Sequence, residues 1–252
     1  MATPILRVEN LRKSFGGVAA TNDVTFELEE GVTLGFIGPN GAGKTTLVAQ
    51  LIGELRQDSG HIWFRDQEIT NYRVPERVHL GIARTFQITN ILRSFTVEDN
   101  VAMAVQAKHG HSFKFWRSAR LDPDLRIPAR KVIDQVGLGD FAGVTAAELS
   151  HGQLRQLELA IALATEPKVL LLDEPLAGMS GQDALGMVAL LKTLKGKYTI
   201  LLIEHDMDAV FDLADRITVL VQGQVLASDV PEKIRGDQAV REAYLGDETV
   251  HA

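Results

Sequence analysis

The 252-residue sequence contains no cysteine. That excludes disulfides and thiolate metal sites, and it is compatible with a reducing compartment. There is no excess of basic charge either: 26 Lys and Arg stand against 33 Asp and Glu, a formal net charge of −7. A non-specific nucleic-acid binder usually shows a basic face, so nucleic acid is not an expected partner. Long hydrophobic runs are missing. The most apolar stretches, VLLL (169–172) and ILLI (200–203), are far too short to span a bilayer. The opening MATPILRVEN has no charged segment followed by an apolar one, so no signal peptide is expected. Repeats and low-complexity segments are also lacking. What is present is 45% hydrophobic residues, enough for a sizeable core in one large domain or two small ones. A soluble protein able to dock on a membrane protein is expected.

Residues 5–9 (ILRVE), 24–29 (VTFELE), 32–38 (VTLGFIG), 61–65 (HIWFR) and 81–86 (GIARTF) read as strands. GKTTLVAQLIGEL (43–55) reads as a helix opening after a glycine turn. Between about 88 and 165 the strand signal fades and helical patterns dominate. One of them, TVEDNVAMAVQAK, begins with Thr96 and has Asp99 three residues later, close to a capping box. Then strands and helices alternate: KVLLLDE, GQDALGMVALLKTL, YTILLIEH, DMDAVFDLAD. Such alternation predicts βαβ units and a parallel sheet. RITVLVQGQVLASD (216–229) predicts two short strands around a Gln-Gly turn, and DQAVREAYLG (237–246) a closing helix. The expected fold class is α/β, a parallel-sheet core interrupted by a helical insert.

The stretch GPNGAGKTT, Gly38 to Thr46, follows a strand and opens a helix. It matches the G-x-x-x-x-G-K-[ST] phosphate loop. Phosphate oxygens need many donors and little bulk. Gly38, Gly41 and Gly43 let backbone N–H groups turn inward, and Pro39, Asn40, Ala42 and Thr46 complete the loop. The helix N-terminus adds the positive end of its dipole. Lys44 can reach the β- and γ-phosphates, and Thr45 can ligate Mg²⁺. The bland alternative is a glycine turn before a helix. The apolar strand VLLLDEP ends in two acids, where open α/β sheets bind ligands. Asp173 is then placed to hold the metal, directly or through water. Glu174 can orient water for attack on a γ-phosphate, while the bland reading is an acidic loop start before Pro175. His205, at the end of YTILLIEH, can donate to the γ-phosphate or be an ordinary surface residue. Gln87, after ARTF, poses the same question as a sensor of Mg²⁺ and attacking water.

Taken together and in order, these motifs resemble the ATP-binding cassette subunits of ABC transporters over nearly the whole chain. The set is the phosphate loop at 38–46, a glutamine loop at Gln87, LSHGQ at 149–153, the acidic strand end at 169–174 and a switch histidine at His205. The resemblance implies a P-loop NTPase (RecA-like) parallel-sheet core with an N-terminal antiparallel β subdomain, at 1–87 and 166–252. It also implies a helical subdomain at 88–165. It implies ATP and Mg²⁺ as cofactors, with Gln87 joining Thr45 and Asp173 around the metal, and Glu174, His205 and Gln87 as the catalytic set. Phe15 looks like the aromatic that stacks on adenine, its alternative being a core aromatic. LSHGQ resembles the family signature, usually LSGGQ, which meets the γ-phosphate held by a partner subunit. Ser150, His151, Gly152 and Gln153 would do so here. A serine helix cap explains the same turn locally.

Two departures stand out: His151 where the usual signature has a glycine, and Ser180 where the family commonly has aspartate. GIARTFQ, EPLAGM and REAYLGDE are similar to the ATPases of branched-chain amino acid importers. The implied partners are a second cassette subunit, identical or not, and transmembrane permease subunits, with no direct contact to the solute. The implied location is peripheral, on the cytoplasmic face of the inner membrane. HSFKFWRSAR (111–120) is an expected contact with membrane subunits or lipid headgroups, or a solvated loop. A soluble non-transport ABC ATPase and a P-loop small-molecule kinase are the competing readings. The second leaves LSHGQ and His205 without a role.

Overall fold

The computed structural model describes residues 4–85, 91–109 and 122–248. Two sheets form the frame. The first has four antiparallel strands in the order β2-β1-β4-β5. They are β1 (Leu6–Phe15), β2 (Val18–Leu28), β4 (Ser59–Phe64) and β5 (Gln67–Glu68). The second has six strands in the order β10-β9-β3-β8-β7-β6. These are β3 (Thr33–Ile37), β6 (Ile82–Thr85), β7 (Val169–Asp173), β8 (Thr199–Ile203), β9 (Arg216–Val221) and β10 (Gln224–Asp229). All neighbours in it are parallel except β9 and β10. That pair closes on Gln222 and Gly223, both at positive φ, as a two-residue hairpin turn of the mirror-image type requires.

Every residue of β3, β7 and β8 is buried. Parallel strands covered on both faces read as unbroken apolar runs, and their alternation shows only in which core each side chain enters. Val169 and Leu171 join the cluster shared with the antiparallel sheet, whereas Leu170 and Leu172 join the cluster under the helices. Phe26 of β2 meets Phe36 of β3 edge-on, ring centres 4.9 Å apart, between the two sheets. The helical face is covered by α5 (His151–Leu163), α6 (Gly181–Leu194) and α7 (Met207–Leu213), together with α3 (Val97–His109) and α4 (Pro123–Gln135). Arg126 of α4 pairs with Asp99 of α3 at 2.6 Å, and Arg130 with Glu98 at 2.9 Å. Asp99 is therefore only half of a capping box. Its N–H donates to Thr96 Oγ1, but its carboxylate turns to Arg126.

β1 and β2 are longer than their apolar cores predict. Bulges between Val8 and Ser14 break the two-residue alternation, so the polar stretch ENLRKS hides a strand that stays paired to Phe15. α1 (Lys44–Ile52) lies within the predicted helix and is followed, after β4 and β5, by the short α2 (Val74–Leu80), in sequence that gives little periodic signal. A buried arginine joins them. Arg77 of α2 donates to the carbonyls of Gln50 and Leu51 at the end of α1, and to those of Ile69, Thr70 and Tyr72. It satisfies acceptors that a helix end leaves over. Burial pushes its guanidinium down to about 10, so it stays charged at neutral pH. The chain ends in α8 (Pro231–Gly236) and α9 (Gln238–Glu248), and no helix among the described residues is long and apolar enough to cross a membrane.

Candidate functional site: a phosphate cradle beside a Glu–His pair

The cradle forms where β3 stops and α1 starts. At Gly38, φ is 157°, and a Cβ would stand 2.1 Å from the Leu220 carbonyl oxygen. At Gly43, φ is 101°, and a Cβ would stand 2.0 Å from the Ala20 carbonyl oxygen. Only glycine lets the loop pass this close to β9 and β2. The hairpin turn after β9 also braces it, because Gly223 donates to the Ala42 carbonyl and accepts from Asn22 N–H. Gly43 caps α1 with no side-chain oxygen, and no acid sits in the first turn. The first N–H groups and the positive end of the helix dipole thus face the loop without an internal anion. Lys44 is buried and folds back over the loop, donating to the carbonyls of Gly38 and Pro39, the latter at 3.0 Å.

A cavity of about 260 Å³ sits over this loop, lined by Val18, Ala20, Asn40 to Thr46, Glu174 and His205. It joins the predicted phosphate loop to the predicted base and switch histidine. Phe15 is paired with Val18 in the β1–β2 register and is 52% exposed, so it is not a core aromatic. A larger cleft, about 880 Å³, opens at the opposite end of the sheet beside Lys131, Lys168 and Lys197, away from every motif.

Asp173 ends β7 and is buried. Its Oδ2 accepts from Arg84 at 2.7 Å, and Arg84 reaches Glu54 at 2.6 Å through its other nitrogen. Burial raises the Asp173 carboxyl above the usual range, and the Arg84 charge opposes that rise. Glu174 lies just past the strand at φ 51°, a left-handed conformation uncommon for a residue with a side chain. Its Oε1 is 2.8 Å from His205 Nε2. The parallel register explains the meeting. Asp173 stands beside Ile203, so β7 and β8 end level and their next residues leave side by side. Thr45 and Asp173 offer a hydroxyl and a carboxylate, hard oxygen donors of the kind Mg²⁺ takes alongside phosphate and water. Gln87, the third expected ligand, lies outside the described residues, as does 111–120.

The LSHGQ turn is elsewhere. None of Ser150, His151, Gly152 or Gln153 lines the cavity. Ser150 caps α5 in a full capping box: its Oγ accepts from Gln153 N–H at 3.3 Å, and its N–H donates to Gln153 Oε1 at 2.9 Å. His151 Cε1 lies 3.4 Å from where a Cβ on Gly178 would be, so the imidazole covers the loop after β7. Gly152 makes its close approach within the chain, where a Cβ would meet the Asp183 side chain at 3.1 Å. Asp183 is in turn fixed by Ser180. The serine accepts from Asp183 N–H, caps α6 and donates its hydroxyl hydrogen to Asp183 Oδ2 at 2.7 Å. Sequence reasoning did not find Arg84, Asp183 or Glu204. A charge inside the apolar run IARTF and an acid straight after the apolar strand TILLI were the available signals for the first and last.

The family described as ABC transporter matches residues 21–177, and that described as branched-chain amino acid ATP-binding cassette transporter matches 224–250. The chain is 38% identical to the high-affinity branched-chain amino acid transport ATP-binding protein LivG of Escherichia coli, with 98% of this chain and all of that protein covered. It is 36% identical to the corresponding BraF of Pseudomonas aeruginosa at the same coverage. Among solved structures, it is similar to the ADP conformation of an ATP-binding cassette of an ABC transporter. The TM-score is 0.84 at 32% identity, covering 96% of this chain and 99% of that one.

Proposed function

Because the chain belongs to the ABC transporter family, as one of its ATP-binding subunits, we propose that it is the ATP-hydrolysing motor of a branched-chain amino acid importer. The observation that carries the hydrolytic part is the single cavity in which the phosphate loop, Glu174 and His205 meet. In this reading Gly38 to Thr46 wrap the phosphates, Lys44 exchanges its contacts with loop carbonyls for β- and γ-phosphate oxygens, and Phe15 stacks on the base. Thr45, Asp173 and Gln87 would hold Mg²⁺, which would screen phosphate charge. Glu174 accepts a hydrogen bond from the attacking water, and His205 holds that carboxylate in place while reaching the γ-phosphate. The Ser150 turn acts on a second nucleotide. It is absent from the cavity of its own chain, so a γ-phosphate contact requires a second cassette placed head to tail. Residues 88–165 are the helical subdomain that carries it, against a core of 1–87 and 166–252. Permease subunits couple the motion, with the cassette peripheral at the cytoplasmic face of the membrane.

Glu174→Gln tests the chemistry. It is expected to bind ATP within about twofold of the parent while turnover falls by about 10²-fold or more. Hydrolysis at the parent rate would place the base elsewhere. Uptake of labelled leucine or isoleucine by vesicles holding the assembled transporter tests the solute.

A further inference from the structure

Glu204 is the first residue past β8, only 4% exposed, and none of the roles above uses it. Its Oε1 accepts the Leu176 N–H at 2.7 Å. Its Oε2 accepts the N–H of His205 at 2.8 Å and that of Asp206 at 3.4 Å. One carboxylate therefore grips two loops, the one that leaves β7 with Glu174 and the one that leaves β8 with His205. Pro175 has no N–H, so Leu176 offers the first backbone donor after Glu174. On the other side, the Glu174 N–H donates to the Ile203 carbonyl at 2.8 Å. The left-handed Glu174 is thus pinned from both flanks, and both pins come from the end of β8.

We propose that Glu204 is a positioning residue for hydrolysis, holding the Glu174 carboxylate and the His205 imidazole in mutual register. Backbone N–H groups must be satisfied where water is excluded, and only an acceptor with two oxygens and no hydrogen serves donors from both loops at once. A glutamine in its place keeps the shape. It turns an NH₂ toward one set of N–H donors, so one loop loses its hold. The Glu–His pair then relaxes, and small displacements of a reacting group are costly in rate. The phosphate cradle is built by β3, α1 and the hairpin after β9, so ATP binding is not expected to follow.

The proposal rests on the reading of Glu174 and His205 as the hydrolytic pair. The test is steady-state ATPase kinetics, ATP calorimetry and thermal melting on the assembled transporter. The variants are Glu204→Gln, Glu204→Asp, His205→Ala and the Glu204→Gln/His205→Ala double variant. Glu204→Gln is expected to lower kcat about tenfold with ATP affinity within about twofold. In the His205→Ala background the same change is expected to cost less than about twofold, because a residue acting through another loses its effect when that other is gone. Glu204→Asp, one methylene short of Leu176, should give the same kcat-only loss in milder form. It decides the matter if the glutamine variant does not fold. Parent kcat in both Glu204 variants, ATP affinity falling in step with kcat, or a full additive loss in the double variant would overturn the proposal. If His205→Ala itself turns over normally, it is the reading of the pair that fails.

Discussion

Two glycine-containing turns in this chain each open a helix, and they treat the same helix end differently. At the start of α1, Gly43 brings no capping side chain and no acid follows in the first turn. The N–H groups and the dipole are left for an external anion. At the start of α5, Ser150 and Gln153 form a capping box that takes up two N–H groups, those of Ser150 and Gln153, within the chain. The first turn carries no side-chain cap and is held by backbone contacts that tolerate no Cβ. The second is capped in part from within and packs on the α6 start through Gly152 and on Gly178 through His151. A shared dipole does not make a shared role. What differs is how much of the helix start the chain caps with its own side chains.

The contrast is broken most severely at Lys44. Lys44→Ala removes the only side-chain cation of the cradle loop, and ATP affinity is expected to fall by about 10²-fold or more. Calorimetry finding unchanged affinity would remove the cradle assignment. Next come the glycines. Gly43→Ala forces a Cβ to 2.0 Å from a backbone oxygen at positive φ, and a loss of about 3 kcal/mol or more in folding stability is expected. Gly152→Ala meets the Asp183 side chain at 3.1 to 3.3 Å and no backbone atom, so about 1 kcal/mol is expected, partly relieved when Asp183→Ala is added. Denaturant melts of the three variants rank them, and equal costs at Gly43 and Gly152 would erase the distinction between the turns.

Ser150→Ala probes the inner cap. It should cost about 1 kcal/mol of stability in the isolated chain, with ATP affinity of that chain unaltered. A drop in ATP affinity there would show that the turn serves its own nucleotide. The smallest effect is expected at His151. His151→Gly removes a ring that covers Gly178 and leaves the cap intact, so most ATPase activity should survive in the assembled transporter, with a rate-against-pH profile parallel to the parent. A large loss together with a changed profile would mean that the imidazole itself acts on phosphate.

Much of the architecture was legible because its signals are local. The phosphate loop is one turn between a strand and a helix, the Gln222-Gly223 hairpin is two residues, and β7 and β8 announce themselves as apolar runs ending in polar groups. β1 was only half legible, since its bulges break the alternation on which strand reading depends. Phe15 shows a related limit. Sequence offered both a core and an exposed reading, and its exposure depends on where the β1–β2 turn sits.

The sequence by itself determined the order of the motifs, the α/β class and the place of the glycine loop between a strand and a helix, because glycine turns, helix starts and strand ends are decided within a few residues. The tertiary structure alone decided who stands beside whom. Asp173 meets Arg84 across 89 positions, and Leu176 meets Glu204 across 28. Both meetings follow from a sheet order that sets β6, β7 and β8 side by side in register. Long-range pairing of this kind is a property of strand adjacency, which no stretch of sequence carries alone.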